Sequence, residues 1–260
     1  MRNLFFILLG LLFVSNAGAE IQTKIVDYKD GETQLEGFVA WNPAKTTGKA
    51  PGVLVVHQWM GQTEYEQRRC KELAELGYVA FALDIYGKGV RPSNPQEAGK
   101  QAGTYKGDRA LYRRRLVLGL EQLRAQQVDK NKIAAIGYCF GGTGVLELAR
   151  SGAEVSGVVS FHGGLDSPTP EDGKNIRAKL LICHGEDDPF VKIEDINAMK
   201  KELNDAKVDW QMVSYSGAVH AFTQPMAGND NSRGAAYNKS ADKRSWTAMR
   251  SFFDEIFESE

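Results

Sequence analysis

Short apolar runs rich in β-branched residues recur along this chain, and segments with helical spacing separate them. The runs at 53–57, 78–85, 132–136, 154–161, 179–183 and 208–215 read as strands. A continuous apolar strand is one covered on both faces, as in parallel sheets flanked by helices. The intervening segments supply those helices. The segment 64–76 places Cys70, Leu73, Ala74 and Gly77 on one face, and 106–127 places Tyr112, Leu116, Leu120 and Leu123 at spacings of four and three. Further helices are predicted at 144–150, around Ile196, Met199 and Leu203, and at the end of the chain, where Trp246, Met249, Phe253 and Ile256 form a buried stripe. Segments 21–28 and 34–41, around the turn Asp30-Gly31, predict an antiparallel edge, and 87–103, rich in Gly, Pro and Asn, a loop. The pattern predicts one α/β domain with a mostly parallel central sheet and helices on both faces.

The first nineteen residues follow a different logic. Arg2 precedes residues 4–14, apolar except for Gly10, and Ala17-Gly18-Ala19 then sets small side chains before Glu20. This is the layout of a secretory signal peptide cleaved after Ala19, too short to span a bilayer. It predicts a periplasmic or secreted protein, residues 20–260, with no stable membrane insertion after cleavage. Lys plus Arg number 32 and Asp plus Glu 33, a balance that argues against nucleic acid as a partner. The three cysteines contain no CxxC pair and are too few for a disulfide scaffold.

Sites in open α/β sheets form beyond the carboxyl ends of the strands. Gly137-Tyr138-Cys139-Phe140-Gly141-Gly142 follows a predicted strand and opens a helix. It has the form G-x-nucleophile-x-G, with cysteine as the nucleophile. Small residues two positions either side let such a tight turn close, and a helix N-terminus favours a thiolate. A thiol nucleophile needs a base and a group that orients the base. The later strand ends carry His184-Gly185-Glu186-Asp187-Asp188 and then His220-Ala221-Phe222. His220 is the last histidine and the candidate base; Asp188 and Asp187 both remain candidates for the acid. His57, His162 and His184 also end strands, but they lack the local spacing of a zinc site, so no metal is expected.

These motifs, together with His57-Gln58-Trp59-Met60-Gly61, Asp84-Ile85-Tyr86, Phe161-His162-Gly163-Gly164, the run Ala235 to Asn238, Ala241-Asp242 and Trp246, resemble the dienelactone hydrolase family in matching order over about residues 25–257. The resemblance implies an α/β-hydrolase fold and a triad of Cys139, His220 and Asp188. It also implies an oxyanion hole made by the backbone N–H groups of Trp59 and Phe140. Two positions depart from the family. Gln58 stands where a glutamate interacts with the resting thiol, which makes Gln58 a candidate modulator. Gln224 stands where an arginine binds a substrate carboxylate; Arg113, Arg114 and Arg115 are an alternative cation source, although such a run ordinarily faces water.

The reading is a hydrolase of small carboxylic esters or lactones that works through a thioester acyl-enzyme and needs no cofactor. A thiol redox or peroxide-responsive protein is one alternative, and a non-catalytic binding protein on the same fold is the other.

Overall fold

The computed structural model describes residues 20–46 and 48–258, so the predicted signal peptide lies outside the described residues. Eight strands form one sheet: β1 Gln22–Asp30, β2 Thr33–Trp41, β3 Ala50–Val56, β4 Val79–Ala82, β5 Val128–Tyr138, β6 Gly157–Phe161, β7 Lys179–Gly185 and β8 Trp210–Tyr215. Their spatial order is β1-β2-β4-β3-β5-β6-β7-β8. The pairs β1–β2 and β2–β4 are antiparallel, and every pair from β4 to β8 is parallel. The strand order reverses at β3, which lies between β4 and β5, so its carboxyl end is the switch point at which open α/β sheets place their sites.

Successive residues of β3 show how the sheet builds two cores. Leu54 and Val56 join one apolar cluster, Val53 and Val55 the other, as the two-residue strand period requires. The helices α2 Pro95–Gly107, α3 Arg109–Arg124, α4 Phe140–Arg150 and α5 Ile193–Asp205 close the first core. The helices α1 Glu64–Glu75 and α6 Lys239–Phe257 close the second.

Three sequence expectations are corrected. Residues 87–103 are not wholly loop: α2 starts at Pro95, where the Asn94 side chain accepts from the backbone N–H of Glu97. Ala98 and Tyr105 are its only buried residues, too few to register as a periodic apolar face. The long helix predicted from residue 106 is cut at Asp108, whose side chain caps α3 by accepting from Leu111 N–H. The buried stripe of α6 is Met249, Phe252, Phe253 and Phe257, while Trp246 and Ile256 are half-buried at its margin.

Candidate active site

The turn from β5 into α4 is shaped by what its glycines lack. A Cβ on Gly137 would collide with the carbonyl of Gly141, and one on Gly141 with the carbonyl of Val56 on β3. The chain can therefore double back on itself only with hydrogen at both positions. Cys139, between them, takes a positive φ of 54°, unusual for a residue with a side chain. Its backbone N–H donates to the carbonyl of Phe161, at 3.0 Å, and to Nδ1 of His162, at 3.1 Å. These bonds hold a strained residue at the head of α4, with its sulfur above the carboxyl end of the sheet.

Two later strand ends bring the partners in. His220 follows β8, and its Nε2 lies 3.0 Å from Cys139 Sγ. Its Nδ1 lies 2.8 Å from Oδ2 of Asp188, which follows β7. The other oxygen of Asp188 accepts from the backbone N–H of Phe190 at 2.9 Å. Asp188 is buried and Asp187 is exposed, so the contact to His220 distinguishes the two acids that the sequence left open.

Electrostatics favour a proton on His220. Burial acts to raise the Cys139 pKa, but the His220 charge and hydrogen bond, with the N–H groups of Phe140 and Trp59, bring it below its ordinary value. For His220, burial is likewise opposed: the Cys139 thiolate and the Asp188 carboxylate push its pKa up to about 10. The two shifts describe one thiolate–imidazolium pair that titrates as a unit. The two backbone donors that face the sulfur are those the resemblance assigned to an oxyanion hole.

The remaining sequence candidates fall elsewhere. Gln58 is buried and uses its backbone, donating to Glu66 Oε1 at 3.2 Å; its side chain makes no hydrogen bond among the described residues. The Gln224 side chain caps the short turn at Pro225–Ala227. The arginine run neither simply faces water nor supplies a free cation. Arg113 bonds Glu147 and Asp172, Arg114 and Arg115 both engage Asp30, and Arg115 is buried. Among the described residues no three His, Cys, Asp or Glu side chains are grouped to hold a metal ion.

A buried polar chain that the sequence reading did not assign supports the site. His162 Nε2 lies 2.8 Å from the hydroxyl of Thr223, which Tyr65 reaches at 2.8 Å, and Arg69 Nε donates to the Tyr65 hydroxyl at 3.2 Å. Thr223 is three residues past His220, so the chain ties the cysteine turn to the histidine loop. Its one sequence signal is His162 itself, a histidine ending a central strand.

The model of the dienelactone hydrolase family matches residues 35–257. This chain belongs to that family. Among solved structures, it is similar to m3DLH, with 41% identity and a TM-score of 0.88 over 92% of this chain and 99% of that one. It is also similar to a dienelactone hydrolase-like promiscuous phosphotriesterase from metagenomic libraries, with 41% identity and a TM-score of 0.86 at the same coverage. A human carboxymethylenebutenolidase homolog is 31% identical over 203 residues, which span 74% of this chain and 78% of the relative. The chain is thus a hydrolase of the dienelactone hydrolase family, and the eight-stranded sheet is that of the α/β hydrolases.

Proposed function

We propose that this enzyme cleaves small carboxylic esters or lactones by covalent catalysis at Cys139. One arrangement carries the reading: His220 bridges Asp188 and the Cys139 sulfur at 2.8 and 3.0 Å, with two peptide N–H groups facing that sulfur. The thiolate attacks the substrate carbonyl carbon, and the carbonyl electron pair moves onto oxygen. The Trp59 and Phe140 N–H groups hold that oxyanion, a contribution of about 3 kcal/mol per donor. As the intermediate collapses, the leaving oxygen takes the proton from His220 and a thioester remains. His220, now neutral, takes a proton from water, which attacks the thioester, releases the acid and restores the ion pair. Asp188 fixes the tautomer of His220 and stabilises its cation. The cycle calls for no cofactor.

Turnover of p-nitrophenyl acetate by the wild type, with an acyl adduct mapped to Cys139 by mass spectrometry, tests this mechanism. Equal turnover by Cys139→Ala would refute it. A parallel exposure to hydrogen peroxide separates the redox reading: a protein that oxidises at Cys139 but turns over no ester belongs there. The similarity to a promiscuous phosphotriesterase supports a second substrate class, neutral phosphotriesters, for which a thiol with a lowered pKa is a suited nucleophile. Paraoxon hydrolysis that disappears in Cys139→Ala is the corresponding result. We also propose export through residues 1–19, on the strength of Arg2, the apolar run and Ala17-Gly18-Ala19. Intact-mass analysis of exported protein should find Glu20 at the N-terminus.

A further inference from the structure

His57 immediately follows β3 and is fully buried. Its Nδ1 lies 2.6 Å from the carbonyl oxygen of Gln58, and its Nε2 accepts the backbone N–H of Ile85 at 3.2 Å. A carbonyl only accepts and a peptide N–H only donates, so one tautomer satisfies both: hydrogen on Nδ1, lone pair on Nε2. Burial keeps the ring neutral, with a pKa pushed down to about 4. The ring also stacks on Phe140, with centroids 5.8 Å apart and planes 25° apart, and meets Tyr86 edge-on at 4.7 Å.

The carbonyl that His57 holds is half of a peptide whose other half is the N–H of Trp59. The peptide is planar and trans, so its C=O and N–H point in opposite directions. Fixing the oxygen on the His57 side turns the N–H to the opposite side, where it faces the Cys139 sulfur. A hydrogen bond at the carbonyl also polarises the amide and strengthens its N–H as a donor. Other groups steady the surrounding loop. Gly61 N–H reaches the same carbonyl at 3.1 Å, Glu66 accepts from Gln58 N–H, and the Tyr86 hydroxyl donates to Trp59 O at 3.0 Å. Among the described residues, His57 is the one side chain that both holds the carbonyl of this donor peptide and packs on Phe140, the residue of the second donor.

We propose that His57 is a positioning residue for the oxyanion hole, aiming the Trp59 N–H through the Gln58 carbonyl and seating Phe140 by stacking. The inference rests on the reading of those two N–H groups as oxyanion donors in ester cleavage at Cys139.

Two substitutions divide the bonds of His57. Asn places an amide N–H near the position of Nδ1 and retains the bond to Gln58 O. Gln places an amide oxygen near the position of Nε2 and retains the bond from Ile85 N–H. His57→Gln should lower kcat for p-nitrophenyl acetate by about 10- to 100-fold, short of the full loss of one oxyanion donor, with KM within about threefold. His57→Asn should stay within about fivefold of wild type. Alkylation of Cys139 by iodoacetamide, which creates no oxyanion, should stay within about twofold in both at a pH where the thiol is ionised. Equal losses in both variants, or alkylation falling in step with turnover, would assign His57 a purely structural role. Nitrogen-15 NMR of histidine-labelled wild type gives a test that needs no variant. His57 should show a protonated Nδ1 and a bare Nε2, and the opposite tautomer overturns the proposal. Ester turnover that does not depend on Cys139 would instead defeat the underlying mechanism.

Discussion

Cys139, just past the end of β5, and Cys183, within β7, are separated by β6, where Phe161 pairs with Tyr138 on one side and Cys183 on the other. Burial acts to raise the pKa of both thiols. At Cys183 burial wins: the sulfur sits within β7, the Tyr215 hydroxyl 3.7 Å away acts to lower the pKa, and burial still pushes it up to about 12. At Cys139 the same penalty is outweighed by His220 and two peptide N–H groups. The difference between an inert and a nucleophilic cysteine is therefore a matter of place. One side chain ends inside a strand; the other ends past it, where helix N-terminus, loop amides and a histidine converge. Cys70 repeats the inert case on α1, buried and raised well above its ordinary value.

Removing His220 should do most to make Cys139 resemble Cys183. His220→Ala takes away both the charge that favours the thiolate and the proton carrier. Ester turnover should fall by about 10³-fold or more, while circular dichroism and melting stay near those of the wild type. Retention of more than a tenth of the activity would show that the imidazole is not the base. Asp188→Asn acts one step back, on the tautomer and charge of His220, and should cost less than His220→Ala but still on the order of 10²- to 10⁴-fold. Asp187→Asn, at an exposed side chain, should leave turnover within about twofold. The reverse ranking would place the acid one residue earlier.

The legibility of these features follows how local their causes are. The elbow at Gly137–Gly142 was readable because a tight turn writes its steric needs into adjacent residues. The apolar strands were readable because burial on both faces leaves no polar alternation. The acid was legible only through the family resemblance, which implies Asp188: by residue type alone Asp187 and Asp188 are adjacent and alike, and the fold of the turn after β7 buries one and exposes the other. The chain His162–Thr223–Tyr65–Arg69 was hidden because its members come from the turn after β6, from α1 and from the loop after β8, three segments far apart in sequence. The arginine run misled because exposure is the usual state of adjacent charges, whereas Asp30 in the β1–β2 hairpin draws Arg115 inward. The helix α2 was missed for a compositional reason, since Gly99 and Gly103 dilute its signal and one Asn cap starts it.

The comparison of thiols can also be read directly from reactivity. Brief iodoacetamide treatment of the native protein should label Cys139 at least about 100-fold faster than Cys70 or Cys183, which carry little thiolate and no access. Its pH profile carries a sign. A lowered thiol pKa puts the rising limb of alkylation below the ordinary value near 9, and an imidazolium persisting to about 10 puts the falling limb of kcat/KM near there. A rising limb at or above 9 would mean that the ion pair does not form at rest. Labelling of Cys183 ahead of Cys139 would contradict the contrast altogether.

The smallest effect concerns Gln58, whose amide stands where the family resemblance implies a carboxylate. A neutral amide leaves the balance at Cys139 to His220 and the two N–H groups, whereas a negative charge nearby disfavours the thiolate. Gln58→Glu should therefore slow alkylation of Cys139 near neutral pH by about tenfold and move its rising limb to higher pH, which corresponds to about one pKa unit. Turnover should fall less than in the triad variants, because a binding substrate can displace the added charge. The Gln58 side chain is buried and makes no hydrogen bond among the described residues, so the substitution breaks no existing side-chain contact of that kind. A change in melting temperature without a change in the alkylation profile would mean that the new carboxylate is felt by the core rather than by the sulfur. Superimposable profiles would remove position 58 from the control of the thiol and leave that control to His220 and the oxyanion donors.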